Sequence, residues 1–304
     1  MNEIRFEIKE DMEDERLDKC ISELSGDLIS RSYLQKMIKD EIVFVNGVPK
    51  KSNYRLKYGD IITFTMPENI EPNIEAQDIA LDILYEDDDI VVVNKPKGMV
   101  VHPAAGHYEN TMVNALLFHC KNSLSGINGV LRPGIVHRID KDTTGSVIVC
   151  KNDFAHQSIA EQLKNHTIVR KYRAICYGVL PDEEGTINAP IGRCENDRKK
   201  MAVNTKNGKE AITHYKVIQR FKDYTYIECQ LETGRTHQIR VHMAYIGYPL
   251  LGDEIYTKRK CPFRLTGQTL HAYILGFKHP RMNEYIETIA PIPEYFEKLL
   301  TILS

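Results

Sequence analysis

The sequence lacks the patterns that mark a metal-binding, disulfide-stabilised or membrane protein. Its seven cysteines are scattered, with no C-x-x-C pair and no histidine at zinc-ligand spacing. No uninterrupted apolar stretch is long enough to cross a bilayer. Residues 1–16 alternate charges with single apolar side chains and so lack the apolar core of a secretory signal. We therefore predict a cytoplasmic protein with free thiols and no zinc site.

The sequence also lacks the net positive charge that is common in nucleic-acid-binding proteins. Its 304 residues include 40 Lys and Arg against 42 Asp and Glu, a formal net charge of −2. The distribution is uneven, because residues 28–60 hold seven basic and three acidic residues, whereas residues 68–90 hold nine acidic residues and no Lys or Arg. This change of composition marks a linker. We predict a small domain over residues 14–75 and a larger domain over residues 76–304.

The predicted small domain is an α+β module. Apolar residues recur with helical spacing in two stripes, at Leu17, Cys20, Ile21 and Leu24 and at Leu34, Met37 and Ile38. Strands are predicted over residues 42–45, before the turn-forming pair Asn46-Gly47, and over residues 61–65. The second helix places three basic residues away from its apolar stripe, which suits a phosphate backbone or, alternatively, an ordinary solvated face: Arg31, Lys36 and Lys39.

Two short motifs in the small domain have a known counterpart. The sequences R-L-D-K at residues 16–19 and F-V-N-G at residues 44–47, in this helix and strand order, resemble the S4 RNA-binding domain. The resemblance covers about the first fifth of the chain. It implies binding of folded RNA and does not indicate a particular sequence.

The larger domain is predicted to be rich in strands. Apolar or alternating runs bounded by Gly, Pro, Asn or Asp occur at residues 90–94, 147–151, 172–177 and 224–231. Helical patterns intervene at residues 155–163 and 236–245, but not as a regular series of strand, helix and strand. For the second helix we expect Thr236 as N-cap, a buried stripe of Ile239, Met243 and Ile246, and an end at Gly247. We predict a mixed, mainly antiparallel α+β fold.

Residues 134–145, G-I-V-H-R-I-D-K-D-T-T-G, combine the densest set of reactive side chains in the chain. The spacing of Asp140, Asp142 and Thr144 matches the D-x-D-x-T pattern of aspartyl-phosphate phosphotransferases. In those enzymes the nucleophile normally follows a buried apolar strand, whereas polar His137 and Arg138 precede Asp140 here. A turn shaped by Asp side chains is a further interpretation. The phosphotransferase interpretation predicts Mg²⁺ dependence, and we expect activity that is indifferent to EDTA.

The whole segment resembles the catalytic motif of the RluA-type pseudouridine synthases. A second motif, L-E-T-G-R-T-H-Q-I-R-V-H at residues 231–242, is similar to the other long signature of that family, and Y-R-A at residues 172–174 matches the Y-x-A part of its K-x-Y-x-A motif. The resemblance implies that Asp140 is the catalytic carboxylate, that Arg240 pairs with it and that Tyr172 stacks on the target uracil. It further implies that Arg138 enters the RNA stack when the uridine is flipped out, and we expect His137 and Arg235 to contact RNA beside it.

The resemblance also implies a reaction. Pseudouridylation breaks the bond between N1 and C1′, rotates the uracil and rejoins it through C5, so no cofactor and no metal is required. An S4-like module followed by V-V-H-P-A-A-G at residues 100–106 resembles the large-subunit rRNA pseudouridine synthase D branch. We therefore expect structured RNA, a stem-loop of 23S rRNA, as substrate of a monomeric enzyme. Asp140 can act as nucleophile or as base, and a non-catalytic RNA-binding assembly factor is the alternative function.

Overall fold

The computed structural model describes residues 3–24, 34, 37–65, 74–103, 107–121, 123–129, 132–194, 197 and 200–304. Arg31 and Lys36, two of the basic residues predicted to bind RNA, lie outside these ranges. By its internal contacts the chain divides into two compact units, residues 1–71 and residues 72–304.

The smaller unit contains a four-stranded antiparallel sheet with the order β1-β4-β2-β3. Its elements are β1 (Glu3–Glu7), α1 (Leu17–Leu24), β2 (Val43–Val45), β3 (Val48–Pro49) and β4 (Ile61–Thr65). The predictions of α1, of the strands and of the turn are confirmed, since Asn46 and Gly47 both have positive φ angles, 52° and 76°, between β2 and β3. Leu34 and residues 37–39 are helical, and Lys39 is exposed.

Strand β1 was not predicted. Its pairing with β4 runs from Glu3 opposite Thr65 to Glu7 opposite Ile61. Ile4 and Phe6 pack against the core of the unit, while Arg5 and Glu7 are exposed. This period of two is the ordinary signal of a half-buried strand. The sequence therefore contained the signal, although the short segment lacks flanking turn residues.

The larger unit is built on a nine-stranded sheet with the order β5-β6-β7-β14-β8-β13-β12-β9, and β15 pairs with β14. All the ladders are antiparallel except that between β7 and β14. The strands are β5 (Ile83–Glu86), β6 (Ile90–Lys95), β7 (Thr144–Cys150), β8 (Val169–Tyr177), β9 (Glu184–Asn188), β12 (Ile212–Arg220), β13 (Tyr224–Leu231), β14 (Leu270–Lys278) and β15 (Tyr285–Ile289), with β10 (Ile191–Arg193) and β11 (Met201–Val203) as a separate pair. The predicted mixed, mainly antiparallel α+β fold is confirmed for this unit.

Helices cover both faces of the sheet. They are α2 (Met112–Cys120), α3 (Asp153–Lys164), α4 (Gln238–Tyr245) and α5 (Glu294–Leu303). Side chains from α2 and α4 share a core with Val91 and Val93 of β6, whereas α3 packs with Ile90 and Val92 on the other face. Strands buried on both faces read as continuous apolar runs, which is why β6 and β7 were recognisable in the sequence. None of the helices in the described ranges is both long and apolar enough to span a membrane.

Candidate active site

A cavity of about 560 Å³ in the larger unit is formed by the segment before β7, the start of β8 and the start of α4. Its lining includes five Lys or Arg side chains, namely Arg138, Lys164, Arg170, Arg235 and Arg240. Asp140 is the one acidic residue among the described residues that line it. A basic cavity with a single carboxylate suits a polyanionic substrate and a reaction that needs one negatively charged group.

Buried groups hold the loop that contains Asp140 in position. Lys95 is fully buried, and its Nζ donates hydrogen bonds of 2.8 to 2.9 Å to the carbonyl oxygens of Pro96, Met99 and Lys141. Burial lowers the pKa of Lys95 to about 7, although the negative charges of Asp142 and Asp140 act to raise it. At the end of the loop a Cβ on Gly145 (φ 104°) would lie 2.2 Å from the carbonyl oxygen of Ala272, so only glycine fits where β7 meets β14.

Arg240 holds the carboxylate of Asp140. Its Nη1 donates to Asp140 Oδ2 at 2.8 Å, while its Nε and Nη2 donate to the two oxygens of Asp253 at 2.7 and 2.9 Å. The Arg240 side chain is only 5% exposed. Burial acts to lower the pKa of Arg240, but Asp253 and Asp140 together raise it above its ordinary value. The two hydrogen bonds to Asp253 fix the orientation of the Arg240 guanidinium. Its third nitrogen, Nη1, then bonds to Asp140 and compensates the charge of that carboxylate.

The start of α4 differs from the prediction. The helix begins at Gln238, and the residue before it, His237, has a left-handed backbone (φ 57°, ψ 20°) without a side-chain capping bond. Thr236 is therefore not the N-cap; the side-chain oxygen of Gln238 instead accepts from the backbone N–H of Arg235 at 2.9 Å. The predicted stripe and the end of the helix at Gly247 (φ 91°) are confirmed.

His237 lies near the oxygen of Asp140 that Arg240 does not bind. Its Nδ1 is 2.7 Å from the hydroxyl of Tyr256, and its Nε2 is 3.7 Å from Asp140 Oδ1. The Tyr256 oxygen accepts from the N–H of Met201 at 3.1 Å, and its own hydrogen can be donated to His237 Nδ1. Burial lowers the pKa of His237, which favours a neutral ring. In the tautomer that accepts this hydrogen bond at Nδ1, the ring proton is on Nε2, which faces Asp140 Oδ1.

Tyr172 and Arg138 line the same cavity as Asp140. Tyr172 is 7% exposed, and burial raises the pKa of its hydroxyl. Arg138 is exposed, and its Nη1 is 3.1 Å from His102 Nε2. Burial and the charge of Arg138 lower the pKa of His102 to about 4, so this nitrogen can accept the hydrogen bond. Both side chains therefore line the cavity that contains Asp140, with Tyr172 buried in its wall and Arg138 exposed.

His137 and Arg235, which we expected to contact RNA, make hydrogen bonds within the protein. His137 Nε2 accepts from the backbone N–H of Ile148 at 3.0 Å. Burial, with a smaller effect of Arg170, lowers the pKa of His137 to about 3, so the ring is neutral. Arg235 Nε donates to the carbonyl oxygen of Glu210 at 2.8 Å. Both residues line the cavity, but one ring nitrogen of His137 is already bonded to the backbone.

The D-x-D-x-T pattern does not form one site. Asp140 lines the cavity, whereas the hydroxyl of Thr144 is 2.8 Å from the buried Nδ1 of His271. Asp140 also precedes β7 and does not follow a strand, unlike the nucleophile of the phosphotransferase interpretation. Within the described part of the chain, no group of three or more His, Cys, Asp or Glu residues is arranged to hold a metal ion.

Three residues of the site were not singled out from the sequence: His237, Asp253 and Tyr256. The basic stretch at residues 170–173 predicted contacts with phosphates, but not the burial of Arg170 in this cavity. His237 lies within the motif at residues 231–242, and Asp253 ends the continuation of that signature, G-Y-P-L-L-G-D at residues 247–253, but only their motif membership was visible. Arg170 precedes Tyr172 by two residues and therefore shares its face of β8. Tyr256 has no pattern that marks it.

The chain is similar to known proteins over most of its length. Residues 89–245 match the RNA pseudouridylate synthase family. The chain is 53% identical to an uncharacterized RNA pseudouridine synthase of Bacillus subtilis (strain 168), over 99% of this chain and 98% of the relative. It is 44% identical to the ribosomal large subunit pseudouridine synthase D of Zymomonas mobilis, over 97% of this chain and 96% of the relative.

A solved structure shows the same fold. The human RNA pseudouridylate synthase domain containing 4 superimposes with a TM-score of 0.58 at 26% identity, over 73% of this chain and 92% of that chain. The match of the family covers more than half of the chain, and the relatives extend over nearly all of it. The chain therefore belongs to the RNA pseudouridylate synthase family and is an RNA pseudouridine synthase.

Proposed function

We propose that this pseudouridine synthase isomerises uridines in a stem-loop of large-subunit (23S) rRNA, with Asp140 as its essential carboxylate. The observation that carries the site assignment is the position of Asp140 as the acidic residue of a basic cavity, hydrogen-bonded to the buried Arg240. The rRNA substrate is supported by relatives named ribosomal large subunit pseudouridine synthase D, which match at 42 to 44% identity.

The proposed mechanism assigns a task to each residue of the constellation. Asp140 attacks C1′ or removes a proton at the 2′ position, and both routes need a charged carboxylate that Arg240 compensates. Tyr172 lies flat against the uracil while the base is detached and rotated. Flipping the uridine costs a few kcal/mol, which stacking on Tyr172 and insertion of Arg138 into the vacated stack offset. A cavity of about 560 Å³ is within the size range of small-molecule sites.

We further propose that residues 14–75 form an S4-like RNA-binding domain and residues 76–304 the catalytic domain. The order of helix, helix and strands and the exposed Lys39 support the assignment. The S4-like domain would bind the folded RNA through its phosphates, with Arg31 and Lys36 as the other expected contacts. The remaining expectations, a cytoplasmic monomer that uses neither cofactor nor metal, belong to the same proposal.

The substitution Asp140→Asn tests the catalytic assignment. It removes the negative charge and keeps the shape, so we expect no detectable pseudouridine with RNA binding retained. The measurement is pseudouridine mapping of rRNA from a deletion strain that carries either the wild-type or the substituted gene. Asp142→Asn is the matched control, because this carboxylate is two residues away and does not line the cavity.

The outcomes separate the alternatives. Equal pseudouridine formation by the Asp140→Asn protein would overturn the role of Asp140. An rRNA map that is unchanged in the deletion strain would instead reject the proposed substrate. If pseudouridine is lost with the gene but restored by the Asp140→Asn protein, the enzyme assignment stands and the carboxylate assignment fails.

A further inference from the structure

Arg170, at the start of β8, is a buried cation without an acidic partner in the described part of the chain. The residue is 6% exposed and lines the cavity. Its Nη2 donates to the carbonyl oxygen of Glu232 at 2.9 Å, and its Nε has no hydrogen-bond partner among the described residues. The carboxylate of Glu232 is 2.6 Å from His214 Nε2 instead. The guanidinium is therefore incompletely hydrogen-bonded and its charge is not neutralised locally.

Such an arrangement is energetically unfavourable in the free enzyme. Removing a charged group from water costs several kcal/mol unless a counter-charge and hydrogen bonds compensate it. Lysine can escape this cost by losing its proton, but arginine stays protonated in proteins. Burial lowers the pKa of Arg170, with no carboxylate among the causes that oppose it. A retained buried charge of this kind points to an anion that arrives from outside.

The cavity wall is shaped around this guanidinium. A Cβ atom on Gly234 would lie 2.7 Å from Nη1 of Arg170, so any larger residue there would collide with the guanidinium or displace it. Gly234 itself is exposed and also lines the cavity. The glycine therefore leaves Nη1 next to the open side of the cavity, where a ligand can approach.

The position of Arg170 on β8 indicates which part of a nucleotide it can reach. Arg170 and Tyr172 are two residues apart, so their side chains project from the same face of the strand, roughly 6.6 Å apart at the backbone. If the uracil lies against Tyr172, a group one sugar away from the base reaches Arg170. In RNA that group is a phosphate, and arginine is the side chain best suited to bind phosphate through two parallel hydrogen bonds.

We infer that Arg170 binds a phosphate that flanks the flipped uridine, so that the substrate supplies the anion that the cavity lacks at this position. Correct binding is then coupled to flipping, since the phosphate reaches Arg170 only when the nucleotide enters the cavity. The inference rests on the proposed function of the cavity, because it takes Tyr172 as the residue that contacts the uracil.

The test is a double-mutant cycle in which the Arg170 guanidinium and the charge of the phosphate are removed separately and together. The probe is a synthetic RNA stem-loop that the wild-type enzyme modifies at one mapped uridine, made with a neutral methylphosphonate linkage either 5′ or 3′ of that uridine. We expect Arg170→Gln to weaken single-turnover pseudouridine formation at subsaturating enzyme by roughly 10- to 100-fold, the range of a hydrogen bond to a charged group. The methylphosphonate at one of the two positions should cause a similar loss with the wild-type enzyme.

Coupling between the two changes decides the inference. If Arg170 contacts that phosphate, the substituted enzyme acting on the modified RNA should lose little beyond either single change. Additive losses at both positions, or wild-type activity of Arg170→Gln, would overturn the inference. The methylphosphonate arm uses the wild-type protein and remains informative even if Arg170→Gln fails to fold: an undiminished rate with both modified RNAs also overturns it.

The same experiment separates this inference from the proposed function. Pseudouridine formation on unmodified RNA by the wild-type enzyme, and its loss in Asp140→Asn, report on the proposed function alone. Arg170→Lys provides a graded variant, because it retains the charge and loses the planar fork. We expect it to recover part of the rate. Equal rates for Arg170→Lys and Arg170→Gln would contradict a phosphate contact.

Discussion

Two buried arginines that line one cavity have different electrostatic surroundings. Arg240 on α4 makes a fork with Asp253 and a third hydrogen bond to Asp140. Arg170 on β8 has a backbone carbonyl as its hydrogen-bond acceptor and no ion pair within the described ranges. The contrast separates two uses of a buried charge. The charge of Arg240 is compensated by carboxylates of the enzyme, whereas we infer that the charge of Arg170 is compensated by a phosphate of the substrate.

The difference also concerns rigidity. A guanidinium bound at Nε and Nη2 by one carboxylate has a fixed plane, so the third nitrogen of Arg240 holds Asp140 in a defined position. Such pre-positioning is what a reacting carboxylate requires. Arg170 has one hydrogen bond and can adjust to a flexible phosphate. Substitutions at these two residues should therefore affect stability and binding in opposite proportions.

The largest effect is expected for Arg240→Gln. The change leaves the buried Asp253 and the partly buried Asp140 without their counter-charge, and breaking a buried pair costs about 3 to 5 kcal/mol. We expect a loss of this size in the free energy of unfolding, measured with urea, together with loss of pseudouridine formation. Arg170→Gln is the matched comparison and should change the free energy of unfolding by less than about 1 kcal/mol, because it removes an uncompensated charge.

A further variant identifies the cause of the loss. In Arg240→Gln combined with Asp253→Asn, both members of the fork are neutral, so part of the lost stability should return while activity does not. Equal destabilisation by Arg240→Gln and Arg170→Gln would show that the two arginines are not electrostatically different, and the comparison would fail.

An effect of intermediate size on the pH dependence of stability is expected from His137. This residue lies between the loop of Asp140 and β7. Burial and, to a smaller extent, Arg170 lower its pKa to about 3. The unfolded chain has a histidine pKa of about 6.5, so below that pH it binds a proton that the folded protein does not bind. Stability is then lost as the pH falls from about 6.5 towards 3, by roughly 2 kcal/mol between pH 6.5 and 4.5 from this residue.

The substitution His137→Gln removes this titration and retains an acceptor for the N–H of Ile148. We expect its unfolding free energy, measured with urea at several pH values, to fall less steeply with acid than that of the wild type. His107→Gln, at an exposed histidine, is the control and should follow the wild type. Parallel curves for wild type and His137→Gln would mean that the ring is not kept neutral by the fold.

The sequence predicted those features that depend on local spacing. Strands β6 and β7 are buried on both faces and appear as continuous apolar runs, and α4 was visible from the spacing of Ile239 and Met243. The predicted start of α4 was wrong. Thr236 is a residue type that commonly caps helices, but here the side chain of Gln238, inside the helix, accepts the hydrogen bond from the N–H of Arg235. Capping is decided by side-chain geometry that residue type does not determine.

The site was predictable only where a motif preserved it. Asp140 and Arg240 are one hundred residues apart, and no spacing rule brings them together; their pairing was inferred from a family resemblance, and the 2.8 Å contact has its cause in the docking of α4. The missing partner of Arg170 is a property of its whole surroundings. A charged residue in a strand looks the same in sequence whether it is paired, exposed or buried alone.

The smallest effect concerns the oxygen of Asp140 that Arg240 leaves free. Tyr256→Phe removes the hydroxyl that donates to His237 Nδ1, so the proton of the ring is no longer held on Nε2 towards Asp140 Oδ1. A net hydrogen bond is worth about 1 kcal/mol, so we expect a roughly fivefold lower single-turnover rate. Tyr245→Phe, at a tyrosine that is 62% exposed, should have no effect. ¹⁵N NMR of the wild-type His237 ring supplies the independent check: a proton found on Nδ1 would contradict the assigned orientation, and Asp140 would then be held only through the bond of its Oδ2 to Arg240.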